Sequence, residues 1–169
     1  MKNLTRIEVS KSRLGHNIQT IRSLIGPKVL LMPCIKANAY GHGIKEMAQL
    51  FVQLGADWLT VHSIEEAEVL RQSGITKPIL VMGYIQKSDL TKVSPLDVPV
   101  FISDFSTAEA LSQIAQKANK QIFVHIKVDS GMSRLGVLED KAKEFIIKAQ
   151  GLKRSGDKAL KEAAKKTMA

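Results

Sequence analysis

The amino-acid sequence predicts an α/β protein, about five βα units of a (β/α)8 barrel. Apolar or β-branched runs recur at 29–35, 57–61, 78–83, 98–102 and 121–128, their starts about 20 to 28 residues apart. That interval is the length of one strand plus one helix, and near-continuous apolar strands belong to a parallel sheet covered on both faces. A dinucleotide-binding sheet would carry Gly-x-Gly-x-x-Gly after its first strand. The turn after residue 35 holds only Gly41-His42-Gly43, so the barrel is preferred.

Each element carries its own signal. A helix over 12–25 rests on the apolar stripe Leu14, Ile18, Ile21, Leu24 and Ile25. The run 29–35 is the first strand. Ile44, Met47, Ala48, Phe51 and Val52 then recur at i, i+3, i+4 spacing, the mark of one buried helix face. Ser63 with Glu66, and Ser106 with Glu109, have the spacing of capping boxes that start two further helices. Residues 140–150 form the fifth helix. A sixth strand should follow, but Leu152 to Gly156 contains no apolar run. An eight-unit barrel needs ~250 residues, so residues 1–150 are expected to form a truncated barrel domain. Residues 151–169 are expected to be a basic Ala/Lys-rich tail, helical or frayed.

Composition narrows the function classes. The chain has 169 residues, 44% hydrophobic and 24% charged, as in an ordinary globular protein. No apolar run approaches the roughly 18–20 residues that span a bilayer, and no signal core follows the N-terminal charges. The single cysteine, Cys34, excludes an internal disulfide and suits a reducing cytoplasm. The net charge of +9 raises nucleic acid as a partner. The tail lacks interleaved aromatics and no zinc-finger or RNA-binding signature is present, so neither nucleic acid nor membrane is expected. The spacing of His16, His42, His62 and His125 supports no metal site.

Two constellations carry chemistry. The first is Lys36-Ala37-Asn38-Ala39-Tyr40-Gly41-His42-Gly43, directly behind the first strand. A lysine at the C-terminal mouth of a parallel barrel can be desolvated, and a carbonyl cofactor can be captured by its amine. Tyr40 can donate a hydroxyl to a phosphate. Gly41 and Gly43 allow close backbone approach, and a helix beginning near Gly43 would offer N–H groups to an anion. Spacing alone leaves a surface lysine in a turn as the alternative.

The second constellation is Lys127-Val128-Asp129-Ser130-Gly131-Met132-Ser133-Arg134-Leu135-Gly136, at the end of the fifth strand. Lys127 should point inward, where an ammonium is costly unless paired or modified. Arg134 offers a planar fork for a carboxylate or a phenolate. A structural ion pair among Lys127, Asp129 and Arg134 is the competing reading.

Together these two segments closely resemble alanine racemase, a pyridoxal-phosphate enzyme of the fold-type III, TIM-type barrel class. The resemblance covers about residues 4–150. It implies that Lys36 is the catalytic, cofactor-anchoring lysine and one of two proton-transfer bases, and that Tyr40 contacts the cofactor phosphate. It further implies that Lys127 is the lysine often found carbamylated, orienting Arg134, and that Arg134 binds the cofactor's phenolic oxygen and the substrate carboxylate. Ser130 stands where threonine is usual. The implied reaction interconverts L-alanine and D-alanine with pyridoxal 5'-phosphate, for peptidoglycan precursor supply.

The resemblance also sets limits. The family's second base is a tyrosine from a C-terminal β domain, acting across a homodimer interface. This chain holds only Tyr40 and Tyr84, so the β domain is expected to be absent and turnover by this chain alone impaired. The alternative is a non-catalytic truncated barrel that self-associates and binds cofactor weakly or not at all.

Overall fold

The computed structural model describes residues 6–154 and 160–162. Helix α1 (Lys11–Ile25) starts where the Ser10 hydroxyl accepts from the Arg13 N–H, satisfying a donor that the helix itself cannot. The run 29–35 comes next. It occupies the expected first-strand position but pairs sparsely, through one parallel bridge between Cys34 and Thr60. The reason is local. Pro33 has no N–H to give to a ladder, and the Leu31 N–H is taken by the Asp57 carboxylate at 2.7 Å.

Four of the strands that follow lie side by side in one parallel sheet in chain order: β1 (Leu59–Val61), β2 (Ile79–Val81), β3 (Val100–Ile102) and β4 (Ile122–Ile126). Between them run α2 (Lys36–Tyr40), α3 (Ile44–Gln53), α4 (Ile64–Gln72), a 3₁₀ turn (Lys87–Lys92) entering α5 (Val93–Leu96), and α6 (Phe105–Ala118). After β4 come a short ribbon, β5 (Val128–Asp129) with β6 (Val137–Leu138), and then α7 (Glu139–Arg154). Among the described residues five βα units are therefore present, as expected.

One local expectation needs correction. The Ser63–Glu66 capping box forms, each side chain bonding the other's backbone. The second box does not. Helix α6 is capped by Asp104, whose carboxylate accepts from the Thr107 N–H at 2.8 Å, and Ser106 lies inside the helix with its hydroxyl on the same carboxylate. A carboxylate reaching two partners outcompetes a hydroxyl two residues later. The tail is described at two places. Residues 151–154 continue α7, but Leu160–Glu162 forms β7, parallel to β4 with Leu160 opposite Ile122. An edge strand needs only backbone donors and acceptors, so the lack of an apolar run does not forbid one. Residues 155–159 and 163–169 lie outside the described residues.

One sheet face packs under the helices. Leu59, Val61, Ile79, Val81, Val100, Ile102, Ile122 and Val124 are buried there with Ala67, Leu70, Ala108 and Leu111. Each fully buried aliphatic side chain of this size contributes about 1.5–3 kcal/mol. The other face curls. The rings of Trp58, just before β1, and His125 on β4 lie 6.2 Å apart, edge to face. Three strand spacings in a flat sheet would separate those strands by roughly 14 Å. The sheet therefore bends toward a barrel, and the C-terminal ends of all its strands gather on one rim.

Candidate active site

Lys36 follows Ile35, which is 1% exposed, so the chain leaves the core at this residue. The next turn is left-handed. Ala37, Asn38, Ala39 and Tyr40 all have φ between 52° and 54°, and Gly41 continues at 90°. Left-handed conformation costs a non-glycine residue about 1–2 kcal/mol, so four in a row persist only if the surroundings hold them. Part of the restraint is internal: Ala39 N–H donates to Ile35 O, Gly41 N–H to Ala37 O, and Gly43 N–H to Asn38 O. Asn38 adds a side-chain bond, its carbonyl accepting the Ile44 N–H at 2.8 Å. The remainder comes from α4, where Glu66 accepts the Ala37 N–H at 2.6 Å.

This arrangement puts the Lys36 side chain, half-buried, at the rim. Tyr40 is 62% exposed, with its hydroxyl 3.8 Å from the Cys34 sulfur. That contact, with lesser help from burial, holds the phenol above its ordinary pKa. Tyr40 is thus a protonated O–H donor at neutral pH. The expected anion site at the start of α3 is not available in the same way. Its first N–H, that of Ile44, is already bonded to Asn38, and Glu46 is folded against Gly43.

The second constellation sits at the end of β4. Lys127 is half-buried, its ammonium 5.6 Å from the centre of the Phe101 ring, within cation–π range. It lines a cleft with Met82, Tyr84, Phe101, Asp104 and Leu135. The competing ion pair is not formed among the described residues. Asp129 instead caps its own loop, accepting the Gly131 N–H at 3.0 Å and the Ser133 N–H at 2.9 Å. Those backbone bonds hold its carboxyl below the usual pKa, and the Lys127 charge adds a smaller effect. Gly136, at φ 143°, closes the loop so tightly that a Cβ there would meet the Asp129 backbone. Arg134 is exposed at the loop tip. His125 is held below its ordinary pKa by burial, and its Nε2 finds no partner among the described residues.

The structure therefore gathers the two motifs on one rim of one curled sheet. No hydrogen bond or ion pair among the described residues joins Lys36 or Tyr40 to Lys127 or Arg134. Three residues of the site were not legible as such in the sequence. Glu66 reads only as a cap, because its second partner, Ala37, is 29 residues away. Tyr84 and Asp104 meet Lys127 only through the parallel register of β2, β3 and β4.

Residues 9–157 match the family model described as the alanine racemase N-terminal domain. The chain belongs to the alanine racemase N-terminal domain family. It is 41% identical to an alanine racemase of Methanococcus maripaludis over 141 residues, 83% of this chain and 38% of that relative. Among solved structures, alanine racemase of Clostridium difficile superposes with a TM-score of 0.77 at 33% identity, covering 83% of this chain and 36% of that one. A histidine racemase from Leuconostoc mesenteroides superposes at 0.79 with 26% identity, covering 90% and 40%. The chain thus spans about two-fifths of the length of the curated relatives it matches.

The donor set suits the cofactor the family implies. An amine for an aldehyde, a protonated phenol for a phosphate and a guanidinium for a phenolate are all on the rim. At the α3 N-terminus the Ile44 N–H is already bonded to Asn38. No described helix is long and apolar enough to cross a membrane, and no cluster of potential metal ligands occurs among the described residues.

Proposed function

We propose that this chain forms the cofactor-anchoring part of a pyridoxal 5'-phosphate-dependent site that interconverts L-alanine and D-alanine. The observation that carries the reading is Lys36, held at the end of a buried segment by a left-handed turn that Glu66 fixes. It shares its rim with the Lys127–Arg134 loop.

In this reading Lys36 would hold the cofactor through its amine and, once that amine is free, would carry a proton to or from the substrate Cα. Tyr40 would donate its hydroxyl to the phosphate. Arg134 would hold the cofactor's phenolic oxygen and the substrate carboxylate, and Lys127, if carbamylated, would orient it. When bound, pyridoxal phosphate supplies the electron sink for the Cα carbanion. The opposite face needs a second base, assigned to a tyrosine other than Tyr40 and Tyr84 and presented across a homodimer interface. The barrel portion runs through about residue 150, with 151–169 as a basic extension. The product serves peptidoglycan precursor supply in the cytoplasm, where Cys34 stays reduced.

Pyridoxal phosphate added to the purified chain is expected to give a visible absorption band that Lys36→Ala abolishes. Failure of the band to form, or its survival in Lys36→Ala, overturns the cofactor assignment. Exchange of L- for D-alanine tests turnover separately. A band without exchange would leave a chain that holds the cofactor without completing the reaction.

A further inference from the structure

Glu66 is more than a helix cap. One carboxylate oxygen accepts the His62 N–H at 2.8 Å and the Ser63 N–H at 3.4 Å, which belongs to the start of α4. The other accepts the Ala37 N–H at 2.6 Å, and Ala37 is the first left-handed residue of the lysine turn. That N–H belongs to the peptide joining Lys36 to Ala37, so the bond fixes the plane from which the Lys36 side chain leaves the backbone. Among the described residues, the other hydrogen bonds that fold residues 37–42 stay within residues 34–44. Glu66 ties the turn to an element distant in sequence.

We propose that Glu66 is a positioning residue, whose ionised carboxylate holds the Lys36–Ala37 peptide so that the Lys36 amine faces the rim. The function so positioned rests on the cofactor reading above. The chemistry requires a carboxylate. Ionised, it is acceptor-only on both oxygens and serves both sets of backbone groups at once. An amide has one acceptor oxygen and one donor-only nitrogen, so it satisfies the cap or the turn but not both. Glutamine is accepted at this position of a capping box, so Glu66→Gln keeps the cap and aims N–H against N–H at Ala37.

The test compares E66Q with S63A. Ser63→Ala removes the other half of the capping box, the Ser63 hydroxyl that accepts from the Glu66 N–H, and leaves the Ala37 bond untouched. Two readouts are taken. The first is hydrogen exchange of the Ala37 amide without cofactor, normalised to the Val81 amide in the core. The second is the concentration of pyridoxal phosphate needed to half-develop the absorption band. In E66Q, loss of a charge-assisted bond should speed normalised Ala37 exchange about 10-fold and raise the half-saturating concentration about 10-fold. S63A should lower the thermal midpoint and change neither. Wild-type exchange at Ala37 in E66Q overturns the proposal. So does a parallel change in S63A scaled to its lost stability, which would reduce Glu66 to a cap. If the wild-type chain gives no band, the cofactor reading fails, and the exchange comparison still decides whether Glu66 holds the turn. Should E66Q not fold, Glu66→Asp, one methylene too short to reach Ala37, takes its place under the same criteria.

Discussion

The lysine turn and the arginine loop leave strand ends on one rim, yet they are held in opposite ways. The lysine turn is strained and externally braced: four left-handed residues are tied to α3 through Asn38 and to α4 through Glu66. The arginine loop is self-contained. Its order comes from Asp129 bonding amides two and four residues ahead, and Arg134 stands exposed at the tip. Under the proposed function, the contrast suits two tasks. A group that anchors a cofactor covalently must start from one geometry, and bracing supplies it. A guanidinium that meets a carboxylate can settle once its partner arrives.

Glycine substitutions give the largest expected break in that comparison. Gly136→Ala forces φ 143° on a residue with a Cβ and drives that Cβ into the Asp129 backbone. It should cost about 2 kcal/mol or more in chemical denaturation, because strain and collision add. Gly41→Ala is left-handed as well, at φ 90°, but a Cβ there meets nothing within 4 Å. It should cost only about 1 kcal/mol. Equal costs would mean that the arginine loop yields around the new Cβ and is looser than its hydrogen bonds imply.

A smaller effect should appear in acid. Asp129 has its pKa lowered in the folded chain, so the unfolded chain binds its proton more readily. The resulting stabilisation is present above the unfolded carboxylate value, about 4, and is lost as pH falls through the lowered folded value. The Gly131 and Ser133 amides, followed by NMR, should therefore lose exchange protection in that window, while the Ala37 amide is followed as the contrast. Asp129→Asn should remove the pH dependence at Gly131 and Ser133. Protection at those two amides that is flat with pH would show that something other than the carboxylate orders the loop.

Much of this architecture was legible in the chain. The repeating apolar runs point to the parallel sheet, because strands buried on both faces cannot afford polar positions. The two motifs point to the rim, because both directly succeed such runs. What could not be read was long-range geometry. The left-handed turn has only Gly41 as a local sign, and alanine at 37 and 39 argues against it by propensity. Glu66 advertises its cap and hides its bond to Ala37. The thin pairing of 29–35 stems from Pro33 and Asp57, which a hydropathy pattern passes over. β7 escaped because edge pairing needs backbone rather than apolar side chains.

Lys36, among the chain's many lysines, is the proposed cofactor anchor. Mild incubation with substoichiometric pyridoxal phosphate, borohydride trapping, digestion and mass spectrometry locate the attachment directly. The label should concentrate on the peptide carrying Lys36, and E66Q should lower its yield there. Label spread evenly over exposed lysines, or an unchanged total in Lys36→Ala, would contradict it.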